Sequence, residues 1–532
     1  MASRTIIHHN SSALKSLQVF YKLLPEFSES PKTLNSIVDK AFNISIVQGI
    51  SDVKEWKTIR DEALQKQPQL TPRELARFKF SLCYRSPLLL ESYLGRPALH
   101  SWLENKAKSL LPHMSCLELI SILTAFSSTA SGSFYTEALS CLHKEIITET
   151  DLNTLAMSVY TVFTHYNHPK APIPTIKDPA HSDFCKAFIE LISPVLIDKV
   201  TEFSDDQFAT ICAGLGKASI EFSSIDTIYP LTDALQSDLL HRRVKRMSLD
   251  NLADVASGFF YNNLGSDELY KGILGKVMEK RKEFNYNNAV DFALALSQRE
   301  VCNKEILNIT NGLIKQNMGN EDYIKISKYA VSTECKDEEI LKKLVENTTN
   351  KNMPDYEYQD IKKLQFYLNR FYKHLVTDEF IERLEKTGYL FDGGRYKTYS
   401  TEINTKQFKE FERWLRFLDQ PVVGPFSYSN HDYFHWAWMP QKVGIMLAMP
   451  KYHLIGKWEE DNRIIKEPKR HYKIANSFEI RCKWLELLGF KIIRMNYQEV
   501  SENANSKAER DKNFLDFIKP LLNPEPSGKT KK

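Results

Sequence analysis

One short phrase returns six times along the first three hundred residues and constrains the fold more than anything else in the chain. It reads LTPRELARFKFSL from Leu70, MSCLELISILTAF from Met114 and ITETDLNTLAMSVY from Ile147. It reads FSDDQFATICAGL from Phe203, MSLDNLADVASGFF from Met247 and FNYNNAVDFALAL from Phe284. Each copy sets Ser, Thr, Asp or Asn ahead of an apolar run rich in alanine and leucine. A short polar side chain there accepts the unpaired amide hydrogens that open a helix. With Leu75, Leu119, Leu152, Phe208, Leu252 and Ala289 as equivalents, the spacings are 44, 33, 56, 44 and 37. A degenerate period of about 40 residues holds two helices and their turns. Neither helix buries its apolar face alone, whereas stacked pairs share a continuous core. Ala156, Ala213, Ala256 and Ala293 are small enough for close helix approach. The expectation for residues 31–347 is therefore an α-solenoid of degenerate helical-hairpin repeats, with a nonrepetitive all-helical domain as the alternative. The segment HPKAPIPT is a loop between units, because proline lacks an amide donor, and a final helical pair is expected over 322–347.

Composition agrees with such a chain. Of 532 residues, 42% are hydrophobic and 26% charged, which excludes collagen-like, wholly disordered and disulfide-scaffold classes. Lysine and arginine exceed acids by 71 − 67 = +4, so any polyanion site must be local. No apolar run approaches the roughly 20 residues of a transmembrane helix. The eight cysteines are scattered without a CxxC or tight Cys/His cluster, which argues for reduced thiols in an intracellular compartment and against structural zinc. Through Pro25 the amino terminus carries Arg4, Lys15 and Lys22 and no acid. Leu14, Leu17, Phe20 and Leu24 share one helical face there. Residues 1–30 thus read either as an organelle-import presequence or as a first packed helix.

A polar stretch near 347–359 marks a boundary. Beyond it, 348–432 reads as a helical connecting region, with one apolar stripe on Ile361, Leu364, Leu368, Phe371 and Tyr372 and another on Phe408, Phe411, Leu415 and Leu418. The character then changes. Phe434, Trp436 and Trp438 alternate as in a strand, and Val443 to Met449 is a continuous apolar strand. Phe478 to Leu488 is helical and stops at Gly489; Phe490 to Met495 is a second buried strand. A last helix, Ala508 to Ile518, precedes Pro520 and a flexible tail over 521–532. Strands bridged by helices indicate a small α/β domain over 433–520.

This domain carries the phrases YFHWAWMP, VGIMLAMPKYH and EIRCKWLELLGFKIIRMNYQEV. On them it resembles the RAP domain, which accompanies helical repeats in organellar RNA-processing and ribosome-associated proteins, including relatives of the Fas-activated serine/threonine kinase family. The last phrase is similar to that family's basic helix, glycine turn and strand, here Arg481, Lys483, Leu485, Leu488, Gly489, Ile492, Ile493, Tyr497 and Glu499. The resemblance implies a restriction-endonuclease-like fold. Active nucleases of that type hold a divalent ion with strand-borne acids, but the corresponding positions here are Met446 and Ala448, and the preceding strand reads His435-Trp436-Ala437-Trp438. Methionine and alanine do not replace the oxygen ligands magnesium needs. The expectation is a noncatalytic protein with no metal and no cofactor.

Local charge supplies a different role. From Arg463 to Arg494 the chain carries Arg463, Lys466, Lys469, Arg470, Lys473, Arg481, Lys483, Lys491 and Arg494 against Glu467, Glu479 and Glu486, or 9 − 3 = +6. Such a patch releases counterions from a phosphate backbone, and Tyr452, Trp458 and Tyr472 nearby are candidates for stacking on unpaired bases. Trp484 reads as core. Along the helical array, Lys79, Lys217, Arg246 and Lys325 are at most peripheral phosphate contacts, with a solvated helix face as the default. Gly214 and Gly216 in AGLGKAS lie in a helical context and make no phosphate loop.

The resulting expectation is an RNA-associated protein of the mitochondrial matrix, acting in RNA maturation, stability or translation on mitochondrial ribosomal or messenger RNA. The alternatives are a structural component of a mitochondrial ribosome or other large assembly, bound to ribonucleoprotein or mitoribosomal proteins, and a metal-dependent RNA nuclease.

Overall fold

The computed structural model describes residues 36–47, 53–84, 96–126, 132–149, 151–166, 179–217, 227–261, 264–318, 323–349, 358–384, 406–415, 426–427, 433–448, 476–487, 489–496 and 506–522. It is mainly helical, with one small three-stranded sheet, and it packs as two compact units, Met1–Asn262 and Asn263–Lys532.

The first unit holds α1 (Ile37–Phe42), which continues as a π turn to Val47, α2 (Val53–Lys66), α3 (Pro72–Tyr84), α4 (Arg96–Leu110), α5 (Cys116–Phe126) and α6 (Gly132–Glu149). It continues with α7 (Leu152–Tyr166), α8 (Pro179–Lys199), α9 (Asp205–Lys217), α10 (Ile228–Asp238) and α11 (Leu249–Tyr261). Each helix packs on the next but one: α1, α3, α5, α7, α9 and α11 form one layer and α2, α4, α6, α8 and α10 the other.

The recurring phrase opens α3, α5, α7, α9 and α11 in this unit and α13 (Tyr286–Gln298) in the second. Its polar residue caps the helix each time. At α3 the Thr71 hydroxyl accepts from the Glu74 amide, while the Glu74 carboxylate accepts from the Thr71 amide at 2.9 Å. Ser115 with Glu118, Ser204 with Gln207 and Asn285 with Asn288 repeat this reciprocal exchange, which satisfies two otherwise orphaned donors per helix. Asp151 accepts from the Asn153 and Thr154 amides, and Ser248 from Asn251. Four residues beyond each cap, the amides of Leu75, Leu119, Leu155, Phe208, Leu252 and Ala289 close the first turn on the cap carbonyl, and all six side chains are fully buried.

The third position corrects the expected one. Leu152 is only half-buried, and Leu155 is its proper counterpart, so the spacings become 44, 36, 53, 44 and 37. The stretch ITETD offers several capping candidates, and Asp151 succeeds because its carboxylate reaches two amides at once.

Close helix approach also differs from expectation. Ala156, Ala256 and Ala293 are buried, but Ala213 is half-buried. Glycines bring α7, α9 and α11 together instead. A Cβ on Gly214 would lie 2.6 Å from Tyr160 Cα, and one on Gly258 would lie 2.0 Å from the Cys212 carbonyl oxygen. The AGLGKAS glycines are therefore a packing surface. Buried Arg243 ties this layer to its turns: it pairs with Asp238, bonds Asp205 at 2.8 Å and the Val200 carbonyl at 3.0 Å, and stacks over Phe208.

The second unit starts with α12 (Asp267–Glu279) and α13, followed by α14 (Lys304–Asn317), α15 (Tyr323–Ser332), α16 (Glu338–Thr349) and α17 (Tyr358–Phe371). The pair expected over 322–347 is α15 and α16. Again α13 packs on α15, α15 on α17 and α14 on α16. Buried Arg299 bonds the carbonyls of Leu264 and Gly265 and stacks over Tyr270. A short helix at 378–384 and α18 (Lys406–Leu415) lead to β1 (Phe426–Ser427), β2 (Tyr433–Phe434), β3 (Trp436–Trp438) and β4 (Val443–Ala448). Helix α19 (Asn476–Leu487), β5 (Lys491–Asn496) and α20 (Lys507–Leu522) complete it. The last helix, expected to stop before Pro520, runs on to Leu522.

Strands β3 and β4 are antiparallel and β4 and β5 parallel, with Ile445 opposite both Trp436 and Ile493. A parallel pair needs a crossover, and α19 lies within it. The side-chain period of two then sorts the strands. Trp436, Trp438, Val443, Ile445, Leu447, Ile493 and Met495 face Phe411, Trp414 and Leu415 of α18 and Phe514 and Ile518 of α20. Ala437, Met446, Ala448 and Ile492 face Phe478, Cys482 and Leu485 of α19.

Candidate nucleic-acid interface

The sheet face that the family resemblance would furnish with acids is filled with apolar atoms. Met446 and Ala448 are fully buried between β4 and α19, among Ala437, Phe478, Cys482, Leu485, Phe490 and Ile492. A carboxylate at either position would lose its hydration without gaining a counter-charge from these neighbours. Among the described residues, no group of three or more His, Cys, Asp or Glu is placed to hold a metal ion.

His435 has a structural part on the other side of the strand. It is buried, and its Nδ1 accepts the Leu447 amide at 2.9 Å. Continued register would set Phe434 opposite Leu447, so the imidazole replaces one backbone acceptor of the ladder. The expected single strand through Phe434, Trp436 and Trp438 is accordingly divided: β2 leaves to pair with β1, and β3 stays in the sheet. With Nδ1 accepting, the ring proton resides on Nε2.

The nine cations expected to meet phosphate have different settings. Arg463, Lys466, Lys469, Arg470 and Lys473 lie outside the described residues, as do Tyr452, Trp458 and Tyr472. Arg481 is on α19. Lys483, also on α19, is exposed and bonds both carboxylate oxygens of Glu334, at 2.8 and 3.1 Å. Arg494 on β5 bonds Glu479 at 2.9 Å and Glu486 at 2.7 Å. The hydrogen bond to Glu486 does most to push its guanidinium above the usual arginine range. Lys483 and Arg494 thus already have acidic partners, Glu334 in the turn after α15 and Glu479 and Glu486 on α19. Lys491 is exposed at the start of β5, where its amide donates to the carbonyl of exposed Lys442 at 2.8 Å.

Among the cations of the helical region, Lys79 departs from expectation. Lys79 is fully buried, with Nζ 2.7 Å from His100 Nδ1 and lying over the Phe126 ring, so it is neither a phosphate contact nor a solvated residue. Arg246 pairs with Asp205 at 3.0 Å and Lys325 with Asp291 at 3.0 Å. The side chain of Lys217 lies outside the described residues.

Trp484 is core, as expected. It is buried and packs on Phe366 and Tyr367 of α17, with ring centroids 5.3 and 5.8 Å away. This contact, with the Lys483–Glu334 pair, docks α19 on the helices before it. Glu334 precedes Lys483 by 149 residues, and no local sequence signal joins them. Phe371, assigned from its spacing to the buried stripe of α17, is instead 43% exposed. The helix ends at this residue, so the periodicity that buries Ile361, Leu364 and Leu368 no longer applies.

No helix among the described residues is long and apolar enough to cross a membrane. No model of a known protein family matches the chain, and no curated protein matches it.

Proposed function

We propose that this protein holds RNA without cutting it. Its helices form a solenoid of degenerate hairpin repeats, and its carboxyl-terminal module is a RAP-like domain whose nuclease-type site has been replaced by core. The observation that carries the reading is the burial of Met446 and Ala448 in an apolar layer, in a module whose chain also contains five basic residues between Arg463 and Lys473 against the single acid Glu467. A module of that kind attracts phosphate but offers no oxygen ligands at the two strand positions where magnesium would sit. The RNA is mitochondrial, ribosomal or messenger, and the role lies in its maturation, stability or translation in the matrix.

Binding of a fluorescent single-stranded RNA by the full chain across a salt series tests this reading. Affinity is expected to fall with salt by roughly 0.7 log units per log unit for each phosphate neutralised. Replacing Arg463, Lys466, Lys469, Arg470 and Lys473 with glutamine is expected to flatten that slope. A folded variant with the wild-type slope would overturn the assignment of the basic segment.

The balanced cations favour a second reading, a structural component of a mitochondrial ribosome or other large assembly. Charges committed to Glu334, Glu479 and Glu486 contribute to packing rather than to phosphate capture. That reading predicts recovery with the particle after a high-salt wash and little independent affinity for RNA.

A further inference from the structure

The tip of α17 carries an exposed aromatic, Phe371, and two exposed cations, Arg370 and Lys373. Of the large apolar side chains described, only Phe371 and Met439 are notably exposed. A single exposed ring is ordinary on a protein surface. Phe371, however, ends a continuous row of rings. Phe366 meets Trp484, Trp484 meets Tyr367, and Tyr367 meets Phe371 at 5.3 Å and Tyr372 at 5.8 Å. His374 continues the row, 6.4 Å from Tyr372, and its Nε2 lies 3.3 Å from Glu338. The inner rings are fixed: Tyr367 is buried and donates to the Cys335 carbonyl at 2.7 Å. Arg370 and Lys373 flank Phe371 in the chain, both are exposed, and neither has an acidic partner among the described residues. This contrasts with Lys483 and Arg494 in the same unit, whose charges are balanced.

We propose that Phe371 is a stacking platform for an unpaired RNA base, with Arg370 and Lys373 contacting the phosphates on either side. Every base has a π face, so a rigidly backed ring binds single strands with little sequence preference, and flanking cations track the backbone. The charge favours this occupant over an apolar protein surface, which would have to desolvate two exposed cations. The site deepens the reading given under Proposed function and rests on it, but it uses residues distinct from the basic segment.

The test uses the full chain and two probes, an oligouridylate of about 12 nucleotides and an abasic ribose-phosphate strand of equal length. Phe371→Ala is expected to weaken oligouridylate binding about 5- to 100-fold while leaving the abasic strand almost unaffected. Arg370→Ala with Lys373→Ala is expected to weaken both. Phe371→Trp is expected to retain binding and to show quenched indole fluorescence when oligouridylate is added. Unchanged thermal unfolding of the variants confirms that exposed positions were altered without loss of fold. If wild type binds neither probe, the RNA reading fails and this site fails with it. If neutralising Arg470 and Lys473 abolishes binding while Phe371→Ala changes nothing, the RNA reading stands and this site is overturned. Loss of a protein association in Phe371→Ala, with RNA affinity intact, likewise overturns it in favour of a protein contact.

Discussion

The helices of the first unit and the sheet of the second are stabilised on different scales of sequence separation. In the helices the caps of the recurring phrase are local, Ser115 with Glu118 and Ser204 with Gln207, each three residues apart, and Arg243 adds a longer-range tie to Asp205 and Val200. In the α/β module the polar contacts are remote. Arg413 and Trp414 of α18 bond Asp511 of α20 across almost a hundred residues, and Phe411, Trp414 and Phe514 close one sheet face together. Helices that each carry their own cap tolerate the loss of one, because the others retain theirs. A three-stranded sheet sealed on both faces does not, since the helices on each face close a single core layer with it.

That difference orders the expected damage. Trp414→Ala removes a fully buried ring from the sheet core and should cost about 3–5 kcal/mol, measured as a shift of the module's unfolding in urea. An unshifted transition would mean that the module is not held by that face. Met446→Asp attacks the opposite face by placing an acid in its apolar layer. A carboxyl group there should cost about 2–5 kcal/mol at neutral pH. Burial would raise its folded-state pKa, so the folded form keeps its proton longer than the unfolded chain. The deficit should therefore be smallest below the ordinary aspartate pKa of about 4, where both states are protonated, and grow as pH rises from there towards the raised folded-state pKa, which urea titrations at several pH values will show. Magnesium rescue of the folded variant would instead indicate a latent metal site.

Within the helices, Gly258→Ala places a methyl group against the Cys212 carbonyl and should cost about 1–3 kcal/mol in thermal unfolding of the first unit. Indifference to this change would remove the case for glycine-mediated approach of α9 and α11. The caps come next. Ser115→Ala and Ser248→Ala should each cost about 1 kcal/mol and add when combined, because the two caps share no partner. Strong non-additivity would show that the helices fail together, as the module does. Smallest is Lys483→Ala, expected to cost about 0–1 kcal/mol because the pair with Glu334 is partly solvated. A larger loss would make docking of α19 depend on charge rather than on Trp484.

The same contrast explains what the sequence revealed. Helix starts were legible because capping acts over three or four residues, and Thr71, Ser115, Ser204, Ser248 and Asn285 stand where the phrase requires them. The third copy differed by one turn, with Leu155 rather than Leu152 at the buried position four residues beyond its Asp151 cap. The strands β4 and β5 were legible because Val443 to Ala448 is an unbroken run without a charge and Phe490 to Met495 is rich in β-branched and apolar residues. The division of the earlier strand at His435 was not, since it depends on a hydrogen bond to Leu447 across the sheet. The site was the least legible part. A positive charge is visible in sequence, but Glu334 beside Lys483 and the burial of Lys79 arise from tertiary packing. Phe371 shows the complementary failure, an apolar residue with core spacing that the end of α17 leaves in solvent.

The central claim is that the carboxyl-terminal module captures RNA and leaves it intact. Incubating the purified full chain with end-labelled single-stranded RNA and magnesium, then measuring bound fraction and RNA length in the same sample, tests it directly. The account predicts salt-sensitive binding with every bound strand at full length. Magnesium-dependent shortening of the RNA, or no binding at low salt, would contradict it.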